Sequence, residues 1–209
     1  MNPFFIILAM LAFWEISTAP LLDSFPIIEY DDNFSALPAL NEGDLVFRRG
    51  KSIESYVVLA ADGSVRYSHI GLAHIQKNGE CVILHAAPAE NEPENTVKME
   101  PLNEFWHYKH ASAGAVYRIN LKTSQKQKIS SYIDRIHNAK VEFDGAYDLN
   151  DSSKLYCTEL VRNAYIGCDI DILPRNIYSL FFPTPIPIIF PGTILKNSKI
   201  QHIYSFPNN

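Results

Sequence analysis

Basic charge is in short supply in this chain of 209 residues: 18 Lys and Arg stand against 23 Asp and Glu, for a formal net charge of −5. That excludes the broad cationic face with which a protein holds nucleic acid or an anionic membrane. The one basic run, around Lys122, Lys126 and Lys128, reads as a solvated helix face. Cysteine is scarce too, with Cys81, Cys157 and Cys168 as the full set. No Cys-x-x-Cys pair or histidine-rich spacing occurs, so the usual structural zinc site is missing, and no metal or organic cofactor is called for. An odd number of thiols leaves one unpaired in an exported protein; a Cys81–Cys168 bridge stays open. Long apolar runs are lacking as well. Phe4 to Trp14 is eleven residues, and a bilayer-spanning helix takes about 20. Followed by Ser17, Thr18 and Ala19, that run predicts a secretory signal over residues 1–19 and export to the periplasm or medium. A membrane-tethered segment or a first helix of the mature fold are the alternatives. There is no internal repeat and no sign of a second domain.

What is present suits a single core, with 47% hydrophobic residues. Residues 20–42, rich in Pro, Asp and Asn, read as an extended lead-in, and residues 43–206 as the domain. Gly43 to Arg48 predicts a first strand. Ser52 caps a helix from Ile53 to Ala60 whose apolar residues Ile53, Tyr56, Val57 and Ala60 fall at helical spacing. Tyr67–Gln76 and Glu80–Ala86 predict a hairpin. A short helix over Pro101–Tyr108 and a strand over Ala113–Asn120 follow. Thr123 then caps a helix with Ile129, Tyr132, Ile133 and Ile136 on one stripe. Val141–Lys154 is a loop, Cys157–Tyr165 a helix closed by Gly167, Phe182–Pro191 a Pro-rich surface or groove segment, and Ile200–Phe206 a last strand.

Cys157 stands where a helix begins, and His69 and His85 lie on the two hairpin strands. A thiol at a helix N-terminus with a strand-borne imidazole is the working pair of a cysteine hydrolase or acyltransferase. Side chains alternate faces along a strand. A two-residue Asn78-Gly79 turn would place the histidines on opposite faces, whereas a three-residue loop, Lys77-Asn78-Gly79 with Gly79 left-handed, makes them diagonal neighbours on one face. The catalytic reading therefore predicts the longer loop. In that reading Cys157 is the nucleophile, helped toward the thiolate by the helix start and an imidazolium. A free thiol is only about 3% thiolate at neutral pH. His69 is the general base and acid, and His85 the third member that orients it. Glu100 and Glu159 are rival third members, although Glu159, two residues into the helix, points away from the thiol and favours the helix dipole. Tyr147 is a candidate oxyanion donor beside the Cys157 N–H, or else a loop aromatic on the core. A metal site built from Cys157, His69 and His85 is the lesser alternative, with no fourth ligand in view. His74, His107, His110, His137 and His202 have no evident partner.

Four segments in this order resemble the permuted papain-like cysteine hydrolases of the YiiX/YaeF type, relatives of the NlpC-type cell-wall endopeptidases. They are Gly43-Asp44-Leu45-Val46-Phe47-Arg48, Ser68-His69-Ile70-Gly71, Leu84-His85-Ala86 and Tyr156-Cys157-Thr158-Glu159-Leu160-Val161, with Tyr147-Asp148 ten residues before the cysteine. Histidine before cysteine is the permuted order. Members of this type often carry glutamate as third polar residue, where this chain has His85 and, in reserve, Glu100. The resemblance implies an α+β, papain-like (circularly permuted NlpC-type) domain with an antiparallel, partly barrel-like sheet packed on the nucleophile helix. It implies a cysteine amidase or peptidase working through a thioester on peptide amides, with cell-wall peptides as first candidates. A lipid-directed acyltransferase or thioesterase of the lecithin retinol acyltransferase type, greeting an acyl chain with the apolar stretch Ile177–Phe190, and a non-catalytic binding module on the same fold are the rivals.

Overall fold

Five antiparallel pairings carry the chain into one open sheet. The computed structural model describes residue 34 and residues 36–63, 66–88, 95–174, 179–181 and 185–207. The expected signal segment, residues 20–33 and 35 of the lead-in, and residues 64–65, 89–94, 175–178, 182–184 and 208–209 lie outside the described residues. β1 (Leu45–Gly50), β2 (His69–Ile75), β3 (Cys81–His85), β4 (Lys98–Pro101), β5 (Ala111–Arg118) and β10 (Gln201–Phe206) form a six-stranded antiparallel sheet in the order β10-β5-β1-β2-β3-β4. The short pairs β6 (Glu142–Phe143) with β7 (Lys154–Leu155) and β8 (Ser179–Phe181) with β9 (Pro185–Pro187) stand apart from it. The helices are α1 (Ile53–Asp62), α2 (Leu102–Phe105), α3 (Thr123–Asn138), α4 (Cys157–Ile166) and α5 (Pro191–Leu195). The result is the expected α+β architecture, with a sheet that curves without closing.

One face of the sheet meets α3 and α4 through Leu45, Phe47, Ile70, Leu72, Leu84, Ile129, Ile133, Leu160 and Val161. The other buries Val46, Ala73, Ile83 and Val116 under Phe105 and Trp106, the period-2 alternation of strands covered on both sides. Asp44 is buried and grips Arg118 with both oxygens, 2.7 Å to Nε and 2.6 Å to Nη2, which ties β1 to the end of β5; a two-pronged pair of this kind fixes geometry as well as charge.

The hairpin takes the three-residue loop. Leu72 pairs Leu84 and Ile75 pairs Cys81, the Gln76 N–H donates to the Glu80 carbonyl at 2.8 Å, and Gly79 has φ +88°. Extended by the same count, Gly71 faces His85. His69, two residues before Gly71, therefore shares a face with His85 as a diagonal neighbour. Gly71 also makes room: a Cβ there would sit 2.6 Å from Ile83 Cγ2 and 3.1 Å from His85 Cβ.

Several local expectations differ in detail. Ser52 caps α1, its Oγ accepting from the Ser55 N–H at 3.2 Å, yet only Val57 of the predicted stripe is buried, with Ile53 67% and Tyr56 50% exposed. Helical spacing marks a face without saying what covers it. The cap of α3 is Lys122 rather than Thr123; the Gln125 side chain reaches back and accepts from the Lys122 N–H at 2.9 Å. The helix after Pro101 is a single turn, ending at Phe105. His74 does have partners: its Nδ1 lies 3.0 Å from Glu42 and its Nε2 3.6 Å from Asp134. All three cysteines are free thiols, and Cys168 packs against α3, its Sγ 3.2 Å from the Gln125 carbonyl.

Candidate active site

The site begins with a row of polar side chains laid diagonally across four strands. Arg48 on β1 pairs with His69 on β2 in register. His85 on β3 is the diagonal neighbour of His69. Glu100 on β4 is the diagonal neighbour of His85, which pairs with Lys98. Period-2 alternation puts all four on one face. His69 Nε2 lies 2.9 Å from His85 Nδ1. His85 Nε2 lies 3.1 Å from Glu100 Oε1, at contact distance but off the line of a hydrogen bond. Arg48 Nη1 stands 3.7 Å from the same Glu100 oxygen, donates to the Phe105 carbonyl at 3.0 Å, and the guanidinium lies over the Phe105 ring. The choice between His85 and Glu100 as partner of His69 resolves into a series: His85 touches His69, and Glu100 touches His85.

Proton positions follow from chemistry. An ionised Glu100 only accepts, so the proton of neutral His85 sits on Nε2 and its Nδ1 accepts from His69 Nε2–H. That leaves His69 Nδ1 as the basic nitrogen. Burial, then the charges of Arg48 and His85, hold His69 well below its usual range. Burial also lowers His85, against the opposing pull of Glu100. Burial raises the Glu100 carboxyl, but the His85 contact and the charges of Arg48 and Lys98 outweigh it and keep Glu100 low.

Cys157 opens α4, which is anchored at both ends. Tyr165 donates to the Gly43 carbonyl at 2.6 Å, the Thr158 hydroxyl donates to the Ile189 carbonyl at 2.6 Å, and the Ile189 N–H donates to the Tyr156 hydroxyl at 3.2 Å. The thiol lies against the start of β2, where the Ile70 N–H acts on it from the residue following His69. Cys157 and His69 line the same cleft of about 160 Å³, together with Arg48, Tyr147, Thr158 and a wall made by Ile188, Ile189 and Phe190. His85 is buried behind His69.

The thiol differs from expectation in sign. Burial pushes Cys157 up to about 11, against the amides of Ile70 and Thr158, the charge of Arg48 and its own N–H. Desolvation of the anion outweighs the helix start. With the thiol raised and the imidazole lowered, the resting pair is neutral.

Tyr147 sits beside the thiol at φ +57°, a conformation rare outside glycine. Asp144 holds that turn: it is buried, and its oxygens accept from the Ala146 N–H at 2.8 Å and the Asp148 N–H at 2.6 Å. Burial, then the neighbouring Cys157, raises the Tyr147 phenol, so it remains a donor. Glu159 does not simply serve the helix dipole. It is 4% exposed, its Oε2 is buried without a partner, and burial followed by the charge of Asp144 lifts it to about 7. Arg48 and Asp144 are the site residues that sequence reading passed over. Arg48 was legible in principle, since strand pairing sets it opposite His69.

Cys157 at the start of α4 and His69 at the start of β2 line one cleft, with histidine first in the chain, the order of a circularly permuted papain-like cysteine hydrolase. Residues 39–180 match the family described as permuted papain-like amidase enzyme, YaeF/YiiX, C92 family, and the chain belongs to it. It is a cysteine amidase in the general sense of that family, with an amide as substrate class. A crystal structure described as metalloprotein yiiX from Escherichia coli O157:H7 has the same fold, at TM-score 0.65 and 18% identity over 78% of this chain and 96% of that one. No curated protein matches the chain. The word metalloprotein belongs to that neighbour. Among the described residues here, no group of three or more His, Cys, Asp or Glu side chains is placed to hold a metal ion. The two histidines of the site already turn Nε2 and Nδ1 toward each other at 2.9 Å, so the donor set does not fit one.

Proposed function

We propose that the protein hydrolyses peptide amides through a thioester on Cys157. The observation that carries the reading is the His69–His85–Glu100 series ending on the cleft that Cys157 lines. As Cys157 Sγ bonds to the carbonyl carbon, its proton passes to His69 Nδ1. The imidazolium so formed is held by His85 and, through it, by Glu100. The oxygen of the tetrahedral intermediate takes hydrogen bonds from the Cys157 N–H and the Tyr147 hydroxyl. Collapse breaks the C–N bond, and His69 returns the proton to the leaving amine. A water molecule, deprotonated by His69, then attacks the thioester; the C–S bond breaks, the acid departs and sulfur regains its proton.

Intact-mass detection of an acyl-enzyme, on a panel of peptide amides that includes cell-wall peptides, tests this. Wild type is expected to accumulate adducts on Cys157, Cys157→Ala to form none, and His69→Gln to lose hydrolysis by two orders of magnitude or more, the usual worth of a general base being about 10²–10⁴-fold. Hydrolysis that survives in Cys157→Ala refutes the assignment, and no turnover with any amide or ester would leave a binding module. The apolar wall of Ile188, Ile189 and Phe190 supports a second reading, an acyl lipid as donor; phospholipid and thioester substrates beside the amides separate the two. We also propose export through residues 1–19, tested by fractionation of the tagged full chain.

A further inference from the structure

Beyond Arg48 the cleft adjoins a second recess, of about 230 Å³. The β1–β5 pairing builds it. Gly50 faces Ala111 across the two strands, so Lys51, just past the end of β1, meets Lys109 and His110, just before the start of β5. The Lys51 ammonium donates to the Tyr108 carbonyl at 2.5 Å and spans the gap. Among the described residues that line the recess, three are Lys or Arg, one is His110, and none is acidic. In a chain of net charge −5, this gathers like charge around one hollow, an unfavourable arrangement without a counter-ion. Arg48 is engaged by Glu100 and the Phe105 carbonyl. The exposed Lys51 and Lys109 therefore give the recess its net charge. Arg48, Ser52 and Ser55 line both hollows, so whatever fills the recess lies beside the bond being cut. The volume is below the roughly 300 Å³ of a pocket that takes a whole drug-sized ligand, and suits one small charged group.

We infer that this recess is an anion subsite of the amidase: it anchors a carboxylate or phosphate carried by the substrate close to the scissile amide. The inference rests on Cys157 being the nucleophile. The subsite selects among amides by charge and acts mainly on binding, since Lys51 and Lys109 line the recess and are absent from the lining of the reactive cleft.

Matched alkylating probes test it: N-chloroacetyl-β-alanine, its neutral carboxamide, and the aminoethylphosphonate analogue, with Cys157 modification followed by intact mass. Wild type is expected to react about tenfold faster with the anionic probes than with the neutral one, an advantage that shrinks as salt screens it. Lys51→Ala with Lys109→Ala is expected to abolish the preference, and Lys51→Glu with Lys109→Glu to reverse it, with the neutral-probe rate unchanged in both. That unchanged rate also reports an intact fold. The larger preference, carboxylate or phosphonate, names the group. Equal rates for charged and neutral probes in wild type, or a preference that survives the lysine variants, overturn the subsite. His69→Gln separates the two levels. If it slows the neutral probe while no charge preference exists, only the subsite falls; if it leaves that rate unchanged, the nucleophile reading falls and takes the subsite with it.

Discussion

Replacing Gly71 by alanine strikes the site without touching a residue that carries chemistry. The added Cβ would lie 2.6 Å from Ile83 Cγ2, 2.9 Å from the Leu84 carbonyl oxygen and 3.1 Å from His85 Cβ. Two of those neighbours have little freedom to give way. The Leu84 carbonyl belongs to the strand backbone, and His85 Cβ is fixed by it. Overpacking of a filled core costs about 1–3 kcal/mol, and the backbone contact argues for the upper end. For a chain of this size each kcal/mol moves Tm by roughly 2–4 °C, so a fall of roughly 6–12 °C is expected in thermal denaturation. The same displacement moves His85 away from His69, whose contact is 2.9 Å. A misplacement of about 1 Å can lower a rate 10²-fold, so kcat should fall about 10- to 100-fold. KM should hold, because neither Gly71 nor His85 lines the cleft. Gly167→Ala is the control. Gly167 closes α4 at φ −57° with nothing nearer than 3.4 Å to a new Cβ, and alanine there should keep or slightly raise Tm. A Gly71→Ala protein with wild-type Tm and kcat would refute the packing argument and, with it, the histidine series as the source of rate.

Cys157, pushed by burial up to about 11, should show no thiolate at neutral pH: the ultraviolet thiolate difference between wild type and Cys157→Ala is expected to be absent from pH 5 to 8, and a full-amplitude signal at pH 7 would establish a preformed ion pair instead. Glu159 is held at about 7, above its ordinary 4.5, by burial and by Asp144. The folded state therefore binds more protons than the unfolded one between those values, and the associated stability is complete below about 4.5 and lost as pH rises through about 7. Glu159→Gln should raise Tm at pH 8 and leave it unchanged near pH 4.5; a gain that ignores pH counts against the buried acid. Asp144→Ala removes the acceptor of the part-buried N–H groups of Ala146 and Asp148, each such hydrogen bond being worth about 0.5–1.5 kcal/mol. It should lower Tm and, by releasing the Tyr147 turn, lower kcat more than it raises KM; unchanged kcat would remove Tyr147 from the oxyanion role.

The parts of the site fixed by local geometry were legible in the sequence. Loop length decided which faces His69 and His85 present, and an Asn78-Gly79 pair preceded by Lys77 admits the three-residue loop because Gly79 takes a positive φ at little strain. The helix start at Cys157 and the stripe of α3 follow from periodicity in the same way. What escaped depends on the partner surface. The spacing of Ile53 and Tyr56 equals that of a buried stripe, yet nothing among the described residues covers those two side chains, which stay exposed. Glu100 gains its meaning only when β4 pairs with β3 across a loop of ten residues or more, and Arg48 only when β1 is set beside β2. The sign of the Cys157 shift was misjudged for the same reason. A helix start is written in the sequence, whereas the desolvation that outweighs it comes from burial of the sulfur in the folded protein.

In the proposed mechanism, Arg48 and Glu100 let a neutral Cys157–His69 pair work. Arg48 stands close enough to act on both members: it disfavours the imidazolium on His69 and favours the thiolate on Cys157. Moving a proton from sulfur to imidazole within its field therefore changes the energy little, since one effect offsets the other. Glu100 breaks that symmetry. It reaches His69 only through His85, so its negative charge stabilises the imidazolium while staying remote from the sulfur. The balance leaves the proton on sulfur in the resting cleft, where a bare thiolate would bear the full desolvation penalty. In the proposed mechanism it tips when negative charge moves onto the carbonyl oxygen, toward the Cys157 N–H and the Tyr147 hydroxyl. Stabilisation is then concentrated on the transition state rather than on the resting enzyme, which is the distribution that raises kcat.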